Sequence, residues 1–167
     1  MFKLISKTIA AVAIVSVALF GSANAKTLKI ETHFTASSPN GEVAAQFAKN
    51  VEKFSGGSLK VEMFYSSSVT GKSAEVFNSA QTGIIDCDMT GAGYQTGKNA
   101  AFQFAGDVMG GYDNPYQQYE FLNFPGAQEA VDALYNKYGM TLIGWWIPGH
   151  ESLISSRPIP DVASLKD

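Results

Sequence analysis

The chain has one cysteine, Cys87, in 167 residues, so no disulfide can close within it, whatever compartment it occupies. Set beside Ile84 and Ile85, that thiol reads as a small buried hydrophobe rather than a reactive group. Excess charge of either sign is also scarce. Twelve Lys and Arg stand against 15 Asp and Glu, a net charge of −3, which leaves no basic footprint for DNA or RNA. Charged residues are 16% of the chain and hydrophobic ones 46%, the balance of an ordinary globular protein and not of a disordered one. Beyond the first 25 residues no apolar stretch is long enough to span a membrane. Several chemical signatures are missing as well. There is no G-x-S-x-G turn for a hydrolase serine, and Gly91, Gly93 and Gly97 miss the G-x-G-x-x-G spacing of a nucleotide site. His33, His150 and Glu151 share no local spacing that would gather three or four ligands on a metal. The expectation is therefore no catalytic residues, no metal and no cofactor.

What is present begins with export. Lys3 and Lys7 precede an apolar run from Ile9 to Phe20, and Ala23-Asn24-Ala25 follows with small residues where a signal peptidase reads. That order of regions describes a secretory signal peptide over residues 1–25, too short in its apolar part for a membrane anchor. The mature chain is expected to start at Lys26, outside the cytoplasm and with no membrane insertion after cleavage. At the other end, Ser152 to Arg157 reads as a strand, Pro158 and Pro160 as a turn, and Val162 to Asp167 as a segment just starting. The sequence therefore reads as a fragment of a larger protein.

Between these ends strands and helices alternate. Thr27 to Phe34 alternates apolar and polar side chains, as a strand does. Ser37, Ser38 and Pro39 supply cap and first-turn chemistry for a helix whose apolar face is Val43, Ala44, Phe47, Ala48, Val51 and Phe54, with Gly56-Gly57 ending it. Ser58 to Tyr65 reads as a second strand, Ser73 to Gln81 as a short helix, and Ile84 to Met89 as a buried third strand. Gly126 to Tyr138 is helical in pattern, and Met140 to Ile147 reads as a fourth strand. The aromatics of the middle segment, Phe102, Phe104, Tyr112, Tyr116, Tyr119, Phe121 and Phe124, read mostly as core. Two strand-helix-strand units in series imply an α/β fold with a parallel sheet. In such sheets ligands gather outside the carboxyl ends of the strands. The candidate ligand-binding residues are accordingly Phe34 and Ser37 after the first strand, Tyr94 after the third, and His150 with Glu151 after the fourth. A plain glycine-rich turn is the simpler account of the Tyr94 loop.

The order of these features resembles a known family. The strand leading to Phe34-x-x-Ser37-Ser38-Pro39, the junction Phe54-Ser55-Gly56-Gly57-Ser58-Leu59-Lys60-Val61, the helix ending in Thr82-Gly83-Ile84-Ile85-Asp86, the Tyr94 loop and Trp145 to Ser155 together resemble the solute-binding subunits of tripartite ATP-independent periplasmic (TRAP) transporters. That resemblance implies a periplasmic binding protein-like fold of two lobes, with residues 26–167 forming the N-terminal lobe and the start of the crossover between lobes. It also implies a periplasmic protein that captures a small organic acid and passes it to membrane permease subunits driven by an ion gradient, with no covalent chemistry. An arginine that holds the ligand carboxylate is expected a few residues beyond Asp167, and that role is not assigned to Arg157. Glu151 would repel an acid ligand unless a hydroxyl, an ammonium group or a cation lay between them, so hydroxy, amino-substituted and cation-bridged acids all fit. A secreted enzyme or the sensing domain of a receptor are the readings from other classes; they predict a catalytic constellation or a membrane helix, respectively, after Asp167.

Overall fold

A computed structural model describes residues 25–106, 108, 110–147 and 154–165. They fall into two compact units that divide after Thr90. The first unit is built on a three-stranded sheet, β1 (Lys26–Thr32), β2 (Leu59–Phe64) and β3 (Cys87–Met89), ordered β2-β1-β3. Both pairings are parallel, with Ile30 opposite Met63 on one side and Cys87 on the other. β2, at the edge, keeps the alternation of its sequence: Lys60 and Glu62 are exposed while Leu59, Val61 and Met63 are half-buried. β1, in the centre, loses it. Ile30, Glu31 and Thr32 are all buried, because the middle strand of a parallel sheet is covered on both faces.

Helix α1 (Pro39–Phe54) starts where the serines and proline place it. Ser38 is the N-cap, its Oγ accepting from Gly41 N at 3.1 Å, and Pro39 occupies the first turn, where its missing N–H costs nothing. Gly56 and Gly57 follow the helix at φ 61° and 81°, a left-handed conformation that suits glycine. The apolar face is only partly covered: Ala44 is buried, but Val43 and Phe54 are exposed. Gly41 has a different reason to be glycine. A Cβ there would lie 2.0 Å from Thr35 O and 2.9 Å from Ala36 O, so the backbone entering the helix leaves no room for a side chain. Gly41→Ala is expected to destabilise the protein by about 2 kcal/mol through this overpacking, read as a lower urea midpoint at an unchanged m-value.

The third strand is shorter than its sequence suggests. Helix α2 (Val76–Gln81) closes with Gly83 at φ 76°, and the amides of both Ile84 and Ile85 turn back onto Ser79 O. Residues 84–86 therefore wrap the helix end, leaving Ile84 exposed and Ile85 buried. Pairing with β1 begins only at Asp86, whose N donates to Lys29 O at 2.8 Å. Val76, Phe77, Ile30, Ala44 and Ile85 form the buried core of this unit.

In the second unit, short 3-10 turns at Ala92–Gln95 and Ala100–Ala105 precede helices α3 (Pro115–Asn123) and α4 (Pro125–Asn136). α3 is missing from the sequence reading, although Asn114-Pro115 signals it: Asn114 Oδ1 accepts from Gln117 N at 3.1 Å, with proline in the first turn. Three expectations are corrected here. Met140 to Ile147 has no regular structure, since a strand exists only by pairing and β1, β2 and β3 are the only paired strands among the described residues. Residues 154–157, the described part of the strand expected over Ser152 to Arg157, are likewise irregular. The middle aromatics mostly do not form core either. Phe102 is fully buried, but Phe104, Tyr116, Tyr119, Phe121 and Phe124 are exposed. Leu122, Val131 and Leu134 supply the aliphatic core of the two helices.

Candidate functional site

With the order β2-β1-β3, the chain leaves β1 toward one neighbour and returns on its other side. That places a topological switch point at the carboxyl ends of β1 and β3, the part of an open α/β sheet that accepts ligands. Three connections meet the carboxyl edge of the first unit. After β1 come His33, Phe34 and the turn through Ser37 into α1. After β2 comes the loop Ser66 to Gly71, and after β3 comes Thr90.

The first two connections are tied together. Ser66 N donates to Phe34 O at 2.9 Å and Ser67 N to Thr32 O at 3.0 Å, so the β2 exit continues beside the β1 exit beyond the last ladder pair. Ser66 and Ser67 both adopt positive φ, 57° and 51°, a costly conformation for residues other than glycine that tends to persist where function requires a shape. The His33 and Phe34 rings lie 3.9 Å apart between centroids. Burial holds the His33 pKa below its ordinary value, which keeps the imidazole neutral at pH 7. Ser37 is exposed on the turn. Directly beyond it, the first turn of α1 presents the positive end of a 16-residue helix, a setting favourable to anions.

Beneath this edge sit two carboxyl groups that the sequence reading did not single out. Glu31 is fully buried; its Oε1 accepts from Val69 N at 2.6 Å and Thr70 N at 3.3 Å. Asp88 is its register partner on β3, and its Oδ1 accepts from Thr90 Oγ1 at 2.6 Å. The Asp88 pKa is pushed up to about 6, chiefly by burial; Thr90 opposes the rise, and the Glu31 charge adds to it. The same acidic neighbourhood, after burial itself, raises the Cys87 thiol. That half-buried cysteine therefore stays neutral.

Tyr94 belongs to the second unit, on the Ala92–Gln95 turn, with its side chain 46% exposed. The turn is well anchored. Gln95 is buried, Asn99 Oδ1 caps the next turn through Ala101 N, and Tyr138 Oη from the end of α4 donates to Lys98 O at 3.3 Å. Phe102 packs edge-on against Tyr135 with centroids 5.2 Å apart. The structure thus groups Phe34 and Ser37 on one connection and puts Tyr94 in the other unit. His150 and Glu151 lie outside the described residues. Arg157 Nη2 donates to Ser164 O at 3.0 Å. Among the described residues no three His, Cys, Asp or Glu side chains are gathered for a metal, and no helix is long and apolar enough to cross a membrane.

A parallel sheet with helical crossovers is an α/β architecture that many functions share. Residues 30–167 match the family model described as bacterial extracellular solute-binding protein, family 7, and the chain belongs to that family. Among solved structures it is similar to a TRAP periplasmic solute-binding protein of Rhodobacter sphaeroides in an apo open form, at 26% identity and a TM-score of 0.65, over 71% of this chain and 37% of that one. It also shares its fold with the Bordetella bronchiseptica TRAP solute-binding protein holding calcium and picolinate (21% identity, TM-score 0.62, 68% of this chain and 34% of that one). The Pseudoalteromonas atlantica protein with sodium and pyruvate is a further match (20%, 0.63, 70% and 35%). The fold is that of the N-terminal lobe of TRAP periplasmic binding proteins, and the chain spans little more than a third of the length of these structures. No curated protein matches the chain.

Proposed function

We propose that the chain is the N-terminal lobe of the extracytoplasmic solute-binding subunit of a TRAP transporter. It captures a small organic acid and delivers it to an ion-gradient-driven membrane permease, and it carries out no covalent chemistry. The observation that carries this reading is the family match across residues 30–167, combined with a topological switch point next to a helix N-terminus. Picolinate and pyruvate in the similar structures support a carboxylate as the solute class. The proposed ligand contacts are Phe34 and Ser37 after β1, together with Tyr94, His150 and Glu151. Aromatic walls with a few orienting polar groups are what a small-ligand site requires.

Two measurements follow. Residues 1–25 act as a signal peptide, so intact-mass analysis of the exported protein should find Lys26 at its N-terminus; another start, or retention in the inner membrane, contradicts the assignment. Loss of a buried hydrogen bond to a charged group costs about 1.5–3 kcal/mol, roughly ten- to a hundred-fold in affinity. Tyr94→Phe should weaken binding of pyruvate or picolinate, whichever acid the parent takes, by that factor in calorimetry, and Glu151→Gln should weaken binding of a hydroxy, amino-substituted or cation-bridged acid by the same factor, with the apo melting temperature nearly unchanged in both. Parent-like affinity in both variants would make these positions ordinary turn residues.

A further inference from the structure

The carboxyl pair beneath the crevice has one feature that its hydrogen bonds leave unexplained. Glu31 is 0% exposed, and its Oε1 is satisfied by the two loop amides, yet its Oε2 is buried with no donor. A buried carboxylate oxygen without a donor is costly, and the group placed to supply one is Asp88. The two residues are register partners on adjacent parallel strands, so their side chains leave the same face of the sheet, with the strands roughly 4.8 Å apart.

We propose that Glu31 and Asp88 form a single proton-binding pair that holds the 66–71 loop against the carboxyl edge of the sheet, making solute capture responsive to the pH of the compartment. The final clause rests on the reading of the protein as a solute-binding subunit; the pair and its loop do not. With the proton bound, the Asp88 carboxyl donates to Glu31 Oε2 while Asp88 Oδ1 still accepts from Thr90. Glu31 is then fixed from both sides and keeps Val69 N and Thr70 N in place. When the proton leaves to solvent, two neighbouring carboxylates remain under the same cover, and repulsion works against the Glu31 position on which the loop depends. This loop already holds two residues at positive φ, and it is tied to β1 and the turn after it through Thr32 O, Phe34 O and the Glu31 carboxylate.

Among the described residues no donor reaches Glu31 Oε2. Lys29 precedes Glu31 on the same face of β1; its backbone N–H donates to Asp86 Oδ2 at 2.9 Å, and the residue is exposed. His33 follows the end of β1, and burial lowers its pKa. Glu62 stands on β2 one pleat before Phe64, the partner of Glu31. α1 meets β2 through Glu52, whose Oε1 accepts from Val61 N. α2 and the 66–71 loop carry no charged residue.

The test uses the ligand-free protein, so its outcome is independent of which solute, if any, is bound. Amide hydrogen exchange at Val69 and Thr70, corrected for intrinsic rates, should show protection falling by about tenfold between roughly pH 5 and pH 7.5. In Asp88→Asn, where the side-chain amide donates to Oε2 at every pH, protection should stay at the acid level throughout. Carbon-detected titration of the parent should find Asp88 ionising near pH 6, and Glu31→Gln should lower that midpoint. Protection independent of pH in the parent, or an Asp88 midpoint that ignores Glu31→Gln, overturns the proposal. So does suppression of the titration by calcium at micromolar concentration, which would make the pair a cation site.

Discussion

Replacing Asp88 with asparagine should stabilise the protein at neutral pH. In an unfolded chain the Asp88 carboxyl ionises near 3.8, but in the fold its pKa is raised to about 6, with burial as the main cause and the neighbouring Glu31 charge adding to it. A carboxyl whose folded pKa lies above its unfolded value binds its proton more tightly in the native state. Its favourable contribution is therefore complete below about pH 3.8 and is lost as pH rises through about 6. The full shift is worth about 3 kcal/mol, and because Asp88 keeps some access to solvent, about 2 kcal/mol is the more realistic figure. Asparagine keeps an oxygen for Thr90 Oγ1 and carries no charge to bury. Urea unfolding should show Asp88→Asn more stable than the parent by that amount at about pH 7.5 and nearly equal to it at about pH 4, where both side chains are neutral. A variant less stable than the parent at neutral pH would mean that the ionised carboxylate is satisfied in the fold.

The largest loss of stability is expected from Phe77→Ala. Phe77 is fully buried on α2, next to the equally buried Val76, in the core that includes Ile30 and Ile85. α2 is only six residues long, too short to hold its shape without tertiary packing. Removing the ring forfeits its transfer free energy and opens a cavity, which together cost about 3–5 kcal/mol. The loss should pass to β3, against which α2 packs and whose first ladder amide, Asp86 N, depends on the turn that closes the helix. Chemical unfolding should show the full decrement, with faster amide exchange in residues 84–89. A loss below about 1 kcal/mol would mean that the site collapses around the deletion or that this region adds little to global stability.

Local chemistry made much of the first unit legible. Ser38-Pro39 starts α1, Gly56-Gly57 ends it, and the alternation of β2 survives because one of its faces stays open. The alternation of β1 misleads at Glu31, whose polarity points to solvent until β3 and the 66–71 loop cover it. β3 comes out shorter because Ser79 O captures two amides that the apolar run would otherwise give to the sheet. In the second unit, Met140 to Ile147 has a strand's composition but finds no partner strand among the described residues, and composition cannot supply one. Asn114-Pro115 was a readable helix start, obscured by the aromatic density around it. The strand-end rule alone put Phe34 and Ser37 on the connection after β1, where they lie. The Glu31–Asp88 pair could not be placed in that way, because strand register cannot be read from either strand in isolation.

The central claim is that this chain belongs to a protein built to carry a small organic acid. The most direct measurement is to purify the full-length protein from its native compartment, unfold it, and identify by mass spectrometry any small molecule it releases. The account predicts a stoichiometric low-mass carboxylic acid, which rebinds to the refolded protein and is held more weakly by Tyr94→Phe. Release of a small molecule with no carboxylate would contradict it.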